Sequence, residues 1–158
     1  MDRFLLHVFV GYSSDENERK ILRLVRGEDA GESPGANGKI LAQTVFEARK
    51  EVLAVQVSET IENYMVALIA ATRRPGDYHT DLAKYVKIGA SPRGTRALDR
   101  ASRARAWLEK RDTVIPEDVQ HVIYPCLRHR LILTYEAEAE GISKDSVLHR
   151  IVKLVAVP

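Results

Sequence analysis

The segment Gly89-Ala90-Ser91-Pro92-Arg93 holds residues whose types and spacing suit the binding of a phosphate group. Ser91 is a good N-cap, Pro92 suits the first position of a helix, and Arg93 then lies in the first turn. The amides of that turn lack partners inside the helix, and the helix dipole favours negative charge there. The pattern therefore predicts a phosphate site with a cation above it. Spacing alone favours the simpler interpretation, an ordinary capped helix whose first arginine is solvated.

The helix that follows, from Ser91 to about Lys110, is rich in arginine. At 100° per residue one face is apolar, and it carries Ala97, Leu98, Ala101, Ala104 and Leu108. A separate stripe beside that face carries Arg93, Arg96, Arg100 and Arg103, with Trp107 on the same side. This stripe is available to an anionic partner, although taken by itself it is more typical of a solvated basic face.

Composition and motifs exclude several classes of protein. Charged residues make up 29% and apolar residues 45%, as in ordinary soluble domains, and a net charge of +2 is small for a nucleic-acid-binding protein. No apolar run approaches the roughly 20 residues that span a bilayer, and we expect neither a membrane span nor a signal peptide. The single cysteine, Cys126, favours a cytoplasmic location and has no metal-ligand spacing to His121 or His129, so we predict no metal site. GxxxxGK[ST], HExxH and CxxC motifs are missing, and the chain does not look like a complete enzyme.

The elements that must position the arginines are predicted to be mainly helical. Hydrophobic periodicity is strongest between Ile61 and Thr72, which predicts a central core helix. Ser13, Ser58 and Ser143 are predicted to cap other helices. The fold class is therefore mainly α, a compact bundle of about five or six helices.

One strand is predicted in front of the bundle. Residues 4–10 are almost continuously apolar and end at Gly11, which is typical of a strand buried on both faces of a parallel sheet. The rest of the sequence offers no sheet for it, so we expect an orphan strand cut from a larger α/β core. A strand lying against the helices is the alternative. The predicted domains are a terminal strand at 1–12 and a helical domain at 13–158, with a flexible Gly-rich loop near 27–39.

Together these segments resemble the C-terminal part of a MoxR-type AAA+ ATPase, from the last core strand through the helical lid. The matching motifs are Asp2-Arg3-Phe4, Gly11-Tyr12-Ser13, Gly89-Ala90-Ser91-Pro92-Arg93, Pro116-Glu117-Asp118-Val119 and Leu127-Arg128-His129-Arg130-Leu131. The order of the last three is specific to the family, whereas the first alone is a weak signal. The sequence departs from the pattern at Ile115, where the family usually has a Ser or Thr cap, and in the loop near 27–39.

The resemblance implies a role in ATP hydrolysis. An upstream domain of such ATPases binds ATP and Mg²⁺ through Walker A and Walker B motifs, which are missing here, so the chain alone is expected to bind neither and to hydrolyse no ATP. The resemblance assigns Arg93 as the sensor-2 arginine, which reaches the phosphates of its own subunit. It matches Arg3 to the arginine finger that acts on the neighbouring subunit. Ile21 resembles the apolar residue that packs against adenine, with ordinary core packing as the alternative.

The resemblance also implies partners. Such proteins form homo-oligomeric rings, usually hexamers, and act as chaperone-like remodelling factors, often with proteins that carry von Willebrand factor A domains. Two other functions stay open at this point. A helical nucleic-acid-binding module would use the arginine stripe and stack a base on Trp107, and a scaffold would only dock a partner protein.

Overall fold

The computed structural model describes residues 2–31 and 38–158 and is mostly helical, which confirms the predicted fold class. The helices are α1 (Asp15–Asp29), α2 (Ala42–Ala54), α3 (Glu59–Arg73), α4 (Thr80–Tyr85), α5 (Pro92–Leu108), α6 (Pro116–Leu127), α7 (Tyr135–Ala139) and α8 (Lys144–Leu154), with a 3-10 turn at Pro75–Asp77. Two short strands, β1 (Val86–Ile88) and β2 (Ile132–Leu133), pair antiparallel. None of the helices in the described ranges is long and apolar enough to cross a membrane.

The chain divides into two compact units. The larger consists of residues 2–8 and 48–158, and the smaller of residues 9–47. In the larger unit α3 is the central core helix, as its periodicity predicts, and it buries Ile61, Tyr64, Met65, Leu68 and Ile69. Helices α5, α6 and α8 supply the other apolar faces of this core.

Small side chains let α5 lie close to its neighbours. A methyl group at Gly94 would lie 3.0 Å from Ile69 Cδ1 and 3.2 Å from Leu127 Cδ2. The backbone of α5 therefore lies directly against side chains of α3 and α6. Leu98 on the same face is fully buried, as predicted. The face ends before Leu108, which was predicted to share it and is instead 71% exposed in the last turn of α5.

The structure corrects the strand prediction for residues 4–10, which form no strand. A strand is defined by ladder hydrogen bonds to a neighbour, and no other strand lies beside this segment within the part of the chain that the structure describes. Phe4, Val8, Phe9 and Val10 are each more than two-thirds exposed. The His7 amide instead donates to the carbonyl oxygen of Pro125 at 2.8 Å, which attaches the start of the segment to the end of α6.

The predicted loop near 27–39 begins later than expected. Helix α1 continues through Gly27 and ends at Asp29, with Ala30 as its C-cap. Ser14 rather than Ser13 caps the start of this helix, since its hydroxyl accepts from the Asn17 amide. Residues 32–37 lie outside the described residues, so the flexibility of the loop and the domain boundaries remain predictions.

Candidate functional site

The connection from β1 to α5 is held tightly against the end of α3. A methyl group at Gly89 would overlap the carbonyl of Thr72 and would lie 2.7 Å from the Arg73 amide nitrogen. The Ala90 amide donates to the Thr72 hydroxyl at 3.0 Å, and the Ala90 carbonyl accepts from Arg73 Nε at 2.7 Å. These contacts fix where α5 begins and therefore where its first-turn side chains lie.

We expect Gly89→Ala to lower the free energy of unfolding by about 2 kcal/mol, because the added methyl group meets backbone that cannot move alone. Urea unfolding measures the change. The matched control is Gly76→Ala, whose methyl group would meet the Ala83 side chain at an ordinary 3.5 Å. Equal stability of the two variants would show that the β1–α5 connection shifts without cost.

The first turn of α5 confirms the prediction of a capped helix. The Ser91 hydroxyl accepts from the Arg93 amide at 3.2 Å, and Pro92 occupies the first helical position. The same hydroxyl donates to Oδ2 of Asp2 at 2.7 Å. Arg93 Nη1 lies 4.0 Å from that carboxylate oxygen, and 56% of the arginine side chain is exposed. Arg93 is therefore held near the helix N-terminus while remaining accessible.

A cavity of about 310 Å³ opens beside this turn. Its lining consists of Asp2, Arg3, Leu5, Arg93, Arg96, Ala97, Arg100 and Arg130. Five guanidinium groups thus face one carboxylate at the positive end of a helix dipole, which makes the cavity suitable for an anion. The structure brings together Arg3 and Arg93, the two predicted phosphate-contacting arginines, in this single cavity. We call this set of residues the arginine cavity.

Arg130 is the buried arginine of the arginine cavity, and all of its nitrogen atoms donate hydrogen bonds within the chain. Its side chain is only 3% exposed, and Nε donates to Oδ1 of Asp2 at 3.0 Å. Nη2 donates to the carbonyl of Phe4 at 2.6 Å, and Nη1 donates to the carbonyls of Leu5 and Cys126. The guanidinium therefore clamps residues 2–5 onto the end of α6, and it has no group left for a ligand.

The surroundings of Asp2 and His129 fix the charge of each side chain at neutral pH. Burial raises the pKa of Asp2, but the hydrogen bond from Ser91 and the charges of Arg130 and Arg93 outweigh burial and leave that pKa below its ordinary value. Burial lowers the pKa of His129, which lies beside Arg130. At neutral pH the site therefore holds an aspartate anion and gains no cation from the imidazole.

The predicted arginine stripe divides into two parts. Arg96 and Arg100 line the cavity with Arg93, and the described residues offer neither of them an acidic partner. Arg103 instead lies 2.8 Å from Asp99 and also donates to two backbone carbonyls at the end of α2. Trp107 Nε1 donates to Glu51 at 2.8 Å, and its ring packs against the core. The stripe prediction is therefore wrong at Arg103 and Trp107, which serve the fold.

Sequence reasoning missed Asp2 and Arg130 as site residues, although both belong to motifs that carry the family resemblance. The signal that could have found them is that each motif holds a charged residue to which the sequence assigns no role, one near each end of the chain. Ile21, predicted as either an adenine contact or a core residue, lies on α1 in the smaller unit and is 52% exposed. It is therefore not a buried core residue, and its contact with adenine remains a prediction.

The described ranges 2–31 and 38–158 contain neither a cluster of metal ligands nor a reactive thiol. No group of three or more His, Cys, Asp or Glu side chains there could hold a metal ion. Burial raises the pKa of Cys126 to about 12, so its thiol stays protonated. The chemistry that the site supports is the binding of an anion by guanidinium groups.

Comparison with known proteins finds similarity over nearly the whole chain. Residues 78–151 match the AAA lid domain family. The chain is 38% identical over 159 residues to Chaperone MoxR1 of Mycobacterium tuberculosis, an alignment that covers 99% of this chain and 41% of that protein. It is 40% identical over 101 residues to Protein MoxR of Methylorubrum extorquens, which covers 60% of this chain and 29% of that protein.

A solved structure has the same fold. It is that of a protein from Cytophaga hutchinsonii provisionally described as an ATPase, which aligns with a TM-score of 0.85 at 35% identity. The alignment covers 99% of this chain and 47% of that one, so the chain spans less than half the length of each of these proteins. The lid match includes Arg93 and Arg130, and the longer alignments extend over nearly the whole chain. The chain therefore carries an AAA lid domain at residues 78–151 and, over nearly its whole length, matches part of the longer MoxR-type AAA+ proteins.

Proposed function

We propose that this chain is the sensor part of a ring-forming ATPase, in which the arginine cavity reads the phosphates of ATP. The nucleotide and its Mg²⁺ would be held by the Walker motifs that the family resemblance implies, since the chain has no such motif. The observation that carries the proposal is the meeting of Arg3 and Arg93 in one cavity at the N-terminus of α5.

The charges of the cavity favour a polyphosphate over a neutral ligand. Arg130 is used up by residues 2–5, which leaves Arg3, Arg93, Arg96 and Arg100 for an incoming anion. Guanidinium groups aimed at a transferring phosphoryl group stabilise the charge of the transition state and can decide turnover. The cavity is thus suited to sense whether a γ-phosphate is present.

The geometry also changes how we assign the two arginines. The family resemblance assigns Arg93 to the nucleotide of its own subunit and Arg3 to that of the neighbour. Because both side chains line one cavity, we propose that they act on one and the same nucleotide, at the boundary between two subunits.

The family resemblance supports a proposal for the wider setting. We propose a homo-oligomeric ring, by family expectation a hexamer, that works in the cytoplasm as a chaperone-like remodelling factor. A protein with a von Willebrand factor A domain is the proposed partner. A nucleic-acid-binding function is less favoured, because Arg103 and Trp107, which it would need, are bound within the fold.

The test is a chimera in which this chain replaces the matching segment of the Mycobacterium tuberculosis relative. We expect Arg93→Ala to lower the ATP turnover number at least about tenfold, since a cation at the γ-phosphate is lost. The melting temperature should move by no more than about 2 °C, because Arg93 is largely exposed. Steady-state hydrolysis and thermal unfolding measure the two quantities.

Arg74→Ala is the matched control, since Arg74 is also an exposed arginine with one long ion pair, 3.7 Å from Asp77. Its hydrolysis rate should equal that of the parent chimera. Unchanged turnover in Arg93→Ala, or a collapse of its melting temperature, would reject the sensor role. Hydrolysis of ATP by the 158-residue chain alone would reject the proposal as a whole.

A further inference from the structure

The carboxylate of Asp2 already occupies the place in the arginine cavity that suits an anion. Its Oδ2 accepts from the hydroxyl of Ser91, the N-cap of α5, and lies 4.0 Å from Arg93 Nη1. Its Oδ1 accepts from Arg130 Nε at 3.0 Å. An acidic side chain of the chain itself therefore binds the N-cap serine of α5 and lies within ion-pair distance of Arg93.

We infer that Asp2 is an intramolecular competitor, whose carboxylate must leave Arg93 before a polyphosphate can bind in the arginine cavity. The inference rests on the proposed function, because it concerns the same phosphate site. It adds a regulatory contact to that site. Access of Arg93 to the nucleotide then depends on the position of residues 2–5 as well as on α5.

Electrostatics support competition rather than shared binding. A carboxylate that stays within a few ångströms of a phosphate repels it, and this repulsion is strong where water is partly excluded. Asp2 is half-buried and its pKa is lowered, so at neutral pH it carries its full negative charge. A bound phosphate must therefore either displace the carboxylate or bind against its repulsion, and both weaken binding.

The clamp at Arg130 lets the carboxylate leave without undocking the segment. Arg130 donates to the carbonyls of Phe4 and Leu5 as well as to Asp2, and the His7 amide donates to Pro125. These bonds involve backbone atoms and survive a rotation of the Asp2 side chain. The segment can therefore stay attached to α6 while the carboxylate moves.

The test uses the 158-residue chain and inorganic tripolyphosphate, with the NMR shifts of the Ser91 and Arg93 amides as the readout. We expect the wild-type chain to bind with a dissociation constant above about 10 mM, and Asp2→Asn to bind about tenfold more tightly, a difference of about 1.4 kcal/mol. The double variant Asp2→Asn/Arg93→Ala should lose this gain. Slow exchange of the His7 amide proton in every variant shows that the segment is still docked.

Asp77→Asn is the matched control, because it removes the same charge from an exposed aspartate that does not line the cavity. Binding by Asp2→Asn within about twofold of this control would overturn the inference, since a twofold change is only about 0.4 kcal/mol against the expected difference of about 1.4 kcal/mol. Tighter binding that persists without Arg93 would also overturn it. If Asp2→Asn binds more tightly while the chimera hydrolyses ATP equally well with and without Arg93, competition stands and the sensor function fails.

Discussion

Asp118→Ala is expected to lower the free energy of unfolding by about 3 kcal/mol, the lower end of the range for breaking a buried ion pair. The Asp118 side chain is 1% exposed and accepts two hydrogen bonds from Arg111, at 2.6 and 2.7 Å. It also accepts from the Ile115 amide at 3.0 Å, and Arg105 lies 3.6 Å away. The lower end applies because the two arginines are each about one-third exposed and regain some hydration. Urea unfolding followed by Trp107 fluorescence measures the loss.

The same carboxylate explains how α6 begins without a Ser or Thr cap. Ile115 stands at the N-cap position and has no side-chain acceptor. Asp118, three residues later, accepts from the Ile115 amide and so supplies the reverse half of a capping box. Its alanine variant therefore loses a helix cap as well as an ion pair.

The effect of Asp118→Ala should depend on pH in a defined direction. Burial raises the pKa of Asp118, but the hydrogen bonds from Arg111 and Ile115 outweigh burial and leave the pKa below its ordinary value. The folded state therefore favours the ionised form, and this stabilisation is complete above the unfolded value of about 3.9. It is lost as the pH falls below that value and through the lowered folded pKa. The stability difference between wild type and variant should thus be constant from pH 7 to about 5 and shrink towards pH 3.

Asp145→Ala is the matched control for Asp118→Ala. Asp145 also forms a two-pronged pair with an arginine, at 3.0 and 2.8 Å from Arg128, but its side chain is 48% exposed. We expect a loss of no more than about 1 kcal/mol, since exposed pairs are hydrated in both states. Similar losses in the two variants would show that burial does not set the strength of the Asp118 pair.

Features that depend on neighbouring residues were predictable from the sequence. The N-caps at Ser58, Ser91 and Ser143 are confirmed, because capping depends on one side chain and the amides two or three residues later. At Ser13 and Ser14 two good caps are adjacent, and the sequence could not distinguish them. The apolar face of α3 is confirmed for the same local reason, since helical periodicity is a property of the chain itself.

Features that depend on distant residues were not predictable. Whether an arginine on a helix face is free depends on what lies opposite, and Arg103 meets carbonyls of residues 48 and 50 positions away. The contact between Asp2 and Arg130 spans 128 positions and has no periodicity to reveal it. The apolar run at 4–10 predicts a strand, but a strand also needs a neighbour, which a local pattern cannot supply.

Arg130→Leu is expected to have the second large effect on stability, also a loss of about 3 kcal/mol in the free energy of unfolding. The substitution leaves the Asp2 carboxylate and the carbonyls of Phe4 and Leu5 without their buried donor. A leucine of similar bulk limits the cavity, so the loss reports on polar groups left unsatisfied rather than on lost volume. Denaturant unfolding measures it, and Arg128→Leu, which breaks a more exposed pair, should cost about 1 kcal/mol.

A second readout separates the clamp at Arg130 from a general contribution to stability. Because Arg130 holds residues 2–5, its loss should free the segment and abolish protection of the His7 amide, whose acceptor is the Pro125 carbonyl. Arg130→Lys should restore part of the stability but little of this protection, since an ammonium group keeps the charge without the planar fork that reaches several carbonyls. Protection that persists in Arg130→Leu would mean that the segment is held by other contacts. Loss of protection in the leucine variant, with the Ser91 cap of α5 still formed, would show that Arg130 holds residues 2–5 independently of the start of α5.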